Sequence, residues 1–553
     1  MHRKRYLLLL SMSLGLLLGM VLAACGPTPT TSTSNTPKKG GTLTDGLFEE
    51  PDSLLPNASI ETYADLVDAT IWAPLVYGDN KGVLQAGLLT EVPSLANGGI
   101  SQDGKTYTLK LRSGLKWSDG QALTADDVVF TLQLWHNKDY GAKTNTTGLD
   151  HIDYTTLTAV DPTTVKFSTT DVFAPMLTTQ LEDPLLAPMP KHVFSSMDPA
   201  SVLKSDENFQ PSVVSGPFKI KERVKADHIT VVRNDNYFQA GQGLPYLDSI
   251  VFKIVPDAST VLTALQGGQL DTSYFLDITK LDSYKALTNY TVVNVPGSYE
   301  ELVFNLHNPI LNDLQVRKAI TMAIDIDSII KVAVKGQAER TCDEDIGTFA
   351  HNASATCYPF DVAGAKKLLD DDGWTVGSDG IRVKNGQKLA LRWGTTQNNG
   401  RRQQGQTIGQ SNLKDIGIDV TIKNYPADTW FGSTLPSGDF DIGEYASGGS
   451  LDPDNPTAWL CNQQPSVNPN GFNVGYYCNP ALDQAIATEE GTPDQAKRLD
   501  AFKNIQQIIQ TDIPAMYLYN FGTLSISRNN VHNYSPSPGG PSETWNVWQW
   551  WMG

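Results

Sequence analysis

The sequence predicts an α/β protein of more than one domain. Segments that alternate apolar and polar residues with a period of two are interleaved, along the whole chain, with segments whose apolar residues fall at helical spacing. The chain has 553 residues, more than one compact core accommodates. Of these, 40 % are hydrophobic, enough to fill large cores. No internal repeat at a fixed period is present.

The N-terminus is read as targeting rather than fold. Met1–Tyr6 is short and basic, and Leu7–Ala23 is apolar, uncharged and too short to span a bilayer comfortably. The run ends in Leu22-Ala23-Ala24-Cys25, which resembles the lipobox of bacterial lipoproteins. That resemblance implies a signal peptide at 1–24, a mature chain beginning at Cys25, and a lipid on its thiol. Residues 25–39 are rich in Thr, Ser and Pro and hold no large apolar side chain, as a tether requires. The expected location is therefore the outer face of the cell membrane, with the body of the protein in solution on a lipid leash.

The body is expected to open with a strand at Gly40–Thr44. Thr106–Arg112 (TYTLKLR) alternates as a half-buried strand does, Ser113-Gly114 turns the chain, and Lys116–Gly120 reads as a second short strand. Thr124 is a good N-cap and Asp127 stands three residues on, so a helix starts at 125. Thr164–Ser168 and Ile229–Arg233 read as strands, and Ser259–Gly267 as a short amphipathic helix. Val316–Val334 reads as one longer helix, and Ala363–Asp371, Gln406–Ile416 and Asp494–Thr511 as further helices.

Charge and motifs exclude several functions. The formal net charge is −18, and no basic run remains once Arg3, Lys4 and Arg5 leave with the leader, so a nucleic-acid partner is excluded. HExxH and GxSxG are absent, and the eight histidines are scattered. The chain is read as neither a hydrolase nor an ATPase, without cofactor or metal. Cys342, Cys357, Cys461 and Cys478 form an even set in an exported chain, which points to disulfides. Pairing them locally closes loops of about 15 residues, each worth about 3 kcal/mol; the sequence leaves three pairings open.

Thr106–Val129, TYTLKLRSGLKWSDGQALTADDVV, resembles the signature of the peptide and nickel class of extracytoplasmic solute-binding proteins. Further fragments follow in the family's order. They are Gly41-Thr42-Leu43 with Pro51–Leu54, Ser215–Phe218, Arg233–Phe238, Lys253–Thr260 with Leu265–Asp271, Val303–Asn305 with Val316–Asp325, Leu413–Ile418, and Tyr477–Asp483. The resemblance implies a two-lobed fold of the periplasmic-binding-protein kind with a hinge. It places lobe I at 40–306 with an inserted subdomain at about 76–214, lobe II at 307–515, and a return to lobe I at 516–553. It also implies capture of a solute between the lobes, an oligopeptide above all. Delivery is then to the permease subunits of an ABC importer powered by its ATPases, with the receptor itself a monomer. An oligosaccharide or other non-peptide solute is the alternative cargo.

A peptide brings an ammonium group, amides, side chains and a carboxylate, so its cleft needs an anion, close backbone and apolar pockets. Carried over residue by residue, the family's aspartate for the amine falls on Asp452, with Asp454 as the alternative; both could instead only cap an Asp-Pro turn. Trp393 and Gly394 match a cleft-facing strand end, and Trp430 is placed as a pocket wall, although aromatic residues also fill cores. Tyr299 and Asn305 fall at the expected hinge, Asn305 rather to hold it. Arg401 and Arg402 are candidates for a ligand carboxylate. No arginine adjoins the acidic site as a strict dipeptide receptor would require. The aromatic C-terminal stretch Trp545–Trp551 is read as packing on lobe I, with a sugar-stacking surface as the other use.

Overall fold

A computed structural model describes residues 36–59, 62–141, 147–180, 187–345, 348–352, 355–426, 429–448, 452–468, 471–537 and 543–553. The leader, Cys25 and most of the tether lie outside these residues.

The main sheet has eleven strands. Its first part is β1 (Thr42–Leu47), and a separate three-stranded sheet is built from β2 (Thr106–Lys110), β3 (Ile152–Asp161) and β4 (Thr164–Thr169). The main sheet continues with β5 (Phe218–Val224), β6 (His228–Arg233), β7 (Ser249–Ile254), β8 (Thr272–Ser273) and β9 (Tyr290–Phe304). It is completed by β10 (Ala390–Thr396), β11 (Asp419–Tyr425), β12 (Ile442–Gly448) and β13 (Ala515–Arg528). The spatial order is β11-β10-β12-β9-β13-β8-β1-β7-β6-β5, with Ala338–Glu339 added on β13. Parallel pairs (β1 with β7 and β8, β10 with β11 and β12) stand beside antiparallel ones.

Local signals account for most elements. In β2, Tyr107 and Leu109 point inward while Thr106 and Thr108 are half-buried, the alternation of a one-sided strand. The helix Ala125–His136 begins where Thr124 predicts, and the Thr124 amide donates to Asp127 Oδ2 at 2.8 Å. Lys116–Gly120 is not a strand: it is a turn closed by a single bridge from Lys116 to Ala122. The single helix expected over 316–334 is two, Leu314–Ala323 and Ile326–Ala333. Ile324 is extended between them, and Asp325 caps the second by accepting from the Ser328 amide at 3.0 Å.

The strands β9 and β13 position the site. One core draws on residues from Leu43 to Tyr274 and again from Val531 to Trp550; other clusters draw on residues from Tyr299 to Tyr519. Between them, β9 and β13 pair from Tyr290↔Arg528 to Val303↔Ala515. Their register slips twice, between Val295 and Ser298 and between Glu300 and Glu301. Beyond the slips Leu302 and Phe304 enter one cluster while Tyr299 and Val303 enter others, so successive side chains serve opposite faces. The C-terminal aromatic stretch packs inward: Trp550 and Trp551 are buried, and Trp548 meets Tyr77 edge-on at 5.4 Å.

Candidate functional site

Beside β9 lies a cavity of about 360 Å³. Among the described residues its walls carry five carboxylates, Glu301, Glu344, Asp345, Asp452 and Asp454, and no lysine, arginine or histidine. Tyr299, Tyr445, Trp459, Phe472 and Tyr477 supply aromatic walls, and Gly297, Ser447 and Gly448 bring backbone close. The strand β9 delivers Tyr299 and Glu301, β12 delivers Tyr445, and the loop after Thr341 delivers Glu344 and Asp345.

The two disulfides brace the surrounding loops. Cys342 is bonded to Cys357 and Cys461 to Cys478, the local pairing of the three that the sequence allowed. The first ties down the loop that carries Glu344 and Asp345; the second holds the turn leading to Tyr477.

The candidate acids divide sharply. Asp452 is 1 % exposed, and its two oxygens each take a 2.9 Å bond from the Arg498 guanidinium. Its Oδ2 also accepts from Thr178 at 2.5 Å, and its Oδ1 from the Asp454 amide at 3.1 Å. Arg498 bonds Glu489 as well. Asp452 lies in the cavity wall as a turn-capping acid paired with Arg498, and every strong acceptor position of its carboxylate is occupied. Asp454 is half-buried in the cavity wall, and its carboxylate has no hydrogen-bond partner among the described residues. Burial, then Glu489, Glu490 and Asp452, hold its carboxyl well above the usual carboxylate range, against the pull of Arg498.

Three further acids were not singled out by the sequence. Glu344 accepts from Trp459 Nε1 at 2.8 Å, Tyr299 Oη at 3.3 Å and Asn455 Nδ2 at 3.4 Å. Glu301 accepts from Ser447 Oγ at 2.9 Å, and Asp345 from the Gln506 amide. Burial is the main cause that raises all three: Glu301 to about 8, Asp345 to about 7, and Glu344 well above its ordinary value. The available signal was Glu300-Glu301 in an otherwise apolar strand, since two successive acids in a central strand must bury one on each face.

Other expected residues turn out to be structural. Trp393 is fully buried, donates from Nε1 to Glu444 at 3.0 Å, and lies so close over Gly409 that a β-carbon there would meet its ring at 2.6 Å. Trp430 is fully buried, stacked on Tyr425 at 5.5 Å, and leaves no room for a β-carbon at Gly394. Trp393, Gly394 and Trp430 therefore pack the two faces of β10, which is covered on both sides, and lie outside the lining of this cavity. Asn305 donates to the carbonyls of Gly438 and Phe440 at 2.9 and 2.8 Å and holds a turn, outside the cavity. Arg401 and Arg402 each reach Glu300 at 2.7 Å, so both guanidinium groups are already ion-paired to a buried acid. Arg401 also borders a second, wider cleft of about 740 Å³, together with Phe48, Tyr274 and Phe275. Of the expected site residues, the cavity brings together Tyr299, Asp452 and Asp454.

A mixed α/β fold with a long shared sheet and a cavity beside its connecting strands is that of the periplasmic binding proteins. Residues 90–468 match the family described as bacterial extracellular solute-binding proteins, family 5, middle, and the chain belongs to that family. It is 26 % identical over 578 aligned positions to the oligopeptide-binding protein AppA of Bacillus subtilis strain 168, covering 100 % of this chain and 99 % of that one. It is 25 % identical over 464 positions to the dipeptide-binding protein of Escherichia coli K12, covering 81 % and 84 %. Among solved structures, AppA from Bacillus subtilis with a nonapeptide superposes with a TM-score of 0.80 at 25 % identity, covering 94 % of this chain and 100 % of that one. NikZ from Campylobacter jejuni with Ni(L-His) shares the fold, with a TM-score of 0.81 at 23 % identity over 92 % and 99 %.

Proposed function

We propose that this chain is the extracytoplasmic receptor of an ABC importer, that it captures an oligopeptide, and that Asp454 anchors the peptide's ammonium group. The observation that carries the reading is the open carboxylate of Asp454 in a cavity whose walls, among the described residues, hold acids and aromatic rings and no cation. An ammonium placed there gains a charge-assisted hydrogen bond and offsets the burial and the neighbouring acids that raise the Asp454 carboxyl. Ser447 and Gly448, at the end of a strand, offer backbone to an extended peptide. The similarity to AppA and to the dipeptide-binding protein supports a peptide cargo. The role is capture without catalysis.

In this reading residues 40–306 and 516–553 form one lobe, 307–515 the other, and β9 and β13 the hinge. Two contacts from the inserted subdomain to lobe II hold the closed form: Thr178 to Asp452, and the Ala174 amide to the Glu490 carbonyl at 2.7 Å. A peptide that touches both lobes only when they meet shifts the population toward closure. A lipid on Cys25 keeps the receptor at the outer face of the membrane, beside the permease.

The test is calorimetric titration of the intact chain, in detergent, with tetrapeptides and their N-acetylated forms. Free amines should bind at least tenfold more tightly than acetylated ones, and Asp454→Asn should remove that difference. Binding of oligosaccharides alone would overturn the cargo; equal binding of both peptide forms would overturn the anchor.

A further inference from the structure

The inner half of the cavity is a second anionic centre. Glu344, the least buried of its three acids, is held by three neutral donors, Trp459, Tyr299 and Asn455, which fix its orientation and leave its charge uncompensated. Glu301 is 4 % exposed, and only one of its oxygens accepts a hydrogen bond, from Ser447. Its other oxygen has no partner among the described residues, and the side chain lines the cavity. Asp345 is 3 % exposed and takes only an amide donor on its carboxylate. A buried charge without a counter-charge costs several kcal/mol, so folding alone gives no reason to keep three together.

This centre adjoins the one at Asp454: Asn455 donates to Glu344 and Asp452 acts on Asp345, whereas Asp454 is raised by burial and by Glu489, Glu490 and Asp452. Among the described residues no group of acids, histidines and cysteines has the arrangement of a metal site. The walls are aromatic, and aromatic faces attract organic cations. The complement is therefore an ammonium or guanidinium on a flexible stem, borne by a ligand that also carries a positive charge for Asp454.

Resting on the peptide reading above, we infer that this receptor selects peptides with a lysine or arginine at the first or second position, whose side-chain cation enters the pocket of Glu301, Glu344 and Asp345 while the terminal amine meets Asp454. The aromatic walls then cover the alkyl stem, as they would for a snorkelling lysine in a core.

The experiment compares tetrapeptides bearing lysine at position one or two with the same peptides bearing norleucine, which keeps the stem and removes the charge. Affinities for the intact chain are measured by calorimetry at one pH and salt concentration. Lysine at one of the two positions should bind at least tenfold more tightly than norleucine. Glu301→Gln and Glu344→Gln should each shrink that ratio at least threefold. Since both variants keep the shape and remove a buried acid that has no counter-charge, they are expected to fold, and an unchanged melting transition checks this. Lysine and norleucine peptides of equal affinity at both positions would overturn the inference and leave the peptide receptor standing. Binding of neither set would overturn the receptor reading and this inference with it.

Discussion

Glu300 and Glu301 are neighbours on β9, both buried, and they live in opposite electrostatic worlds. Glu300 faces the helix Gly400–Asp415, where Arg401 and Arg402 each reach it at 2.7 Å. Glu301 faces the cavity and receives a serine hydroxyl. Strand alternation sends the two side chains to opposite faces, and both faces are covered here. On one face the protein supplies the counter-charge itself; on the other it leaves the charge for something else to complete. A buried acid is thus evidence for a ligand only once its partners are counted.

The comparison can be broken by mutation. Glu300→Ala should be the most damaging change, because it strands two guanidinium groups in the interior. About 3–5 kcal/mol of stability should be lost, read as a lower urea midpoint, by the usual cost of breaking a buried pair. A loss below about 1 kcal/mol would mean that the arginines find water, and the contrast between the faces would collapse.

The next effect is on pH. Glu301 and Asp345, raised to about 8 and about 7, hold protons in the folded state that the unfolded chain releases near pH 4. Their contribution to stability is complete below the unfolded value and is lost as pH rises through the folded ones. Glu444, raised to about 8, and Glu489, raised to about 7, act in the same direction. Acids held low by hydrogen bonds, such as Asp161 and Asp257, act only below about pH 4. The ligand-free protein should therefore melt at a lower temperature at pH 8 than at pH 5, with a slope of at most about 1.4 kcal/mol per pH unit for each group. A melting temperature that rises across this interval would contradict the cavity's electrostatics.

The smallest effect isolates one acid. Glu301→Gln should leave stability at pH 5 unchanged and raise it slightly at pH 8, flattening the slope. If the slope is the same with and without Glu301, the proton is held elsewhere.

Much of this fold was legible because its signals are local. The alternation in 106–110, the Thr124 cap and the ordered family fragments need no knowledge of partners. The helix Gly400–Asp415 begins before the expected 406 because Gly-Arg-Arg-Gln-Gln carries no apolar period, although Asn399 caps it. The break at Ile324 was missed because the apolar spacing continues through it. The site was less legible for a different reason. Whether Asp452 or Asp454 is free depends on Arg498, which lies far along the chain, and whether Trp393 faces a cleft or a core depends on Gly409 across a helix interface. Pairing across such distances is a property of the assembled fold, and residue type alone is silent about it.

The bond between Cys342 and Cys357 has a consequence for where the cavity can work. It closes the segment that carries Glu344 and Asp345. Cut loose, that segment could turn its acids toward water, where like charges hardly repel and no cation is needed to reconcile them. The crosslink denies it that escape. The bond between two cysteines thus does for this acidic loop what a counter-ion would otherwise have to do: it keeps Glu344 and Asp345 facing the cavity.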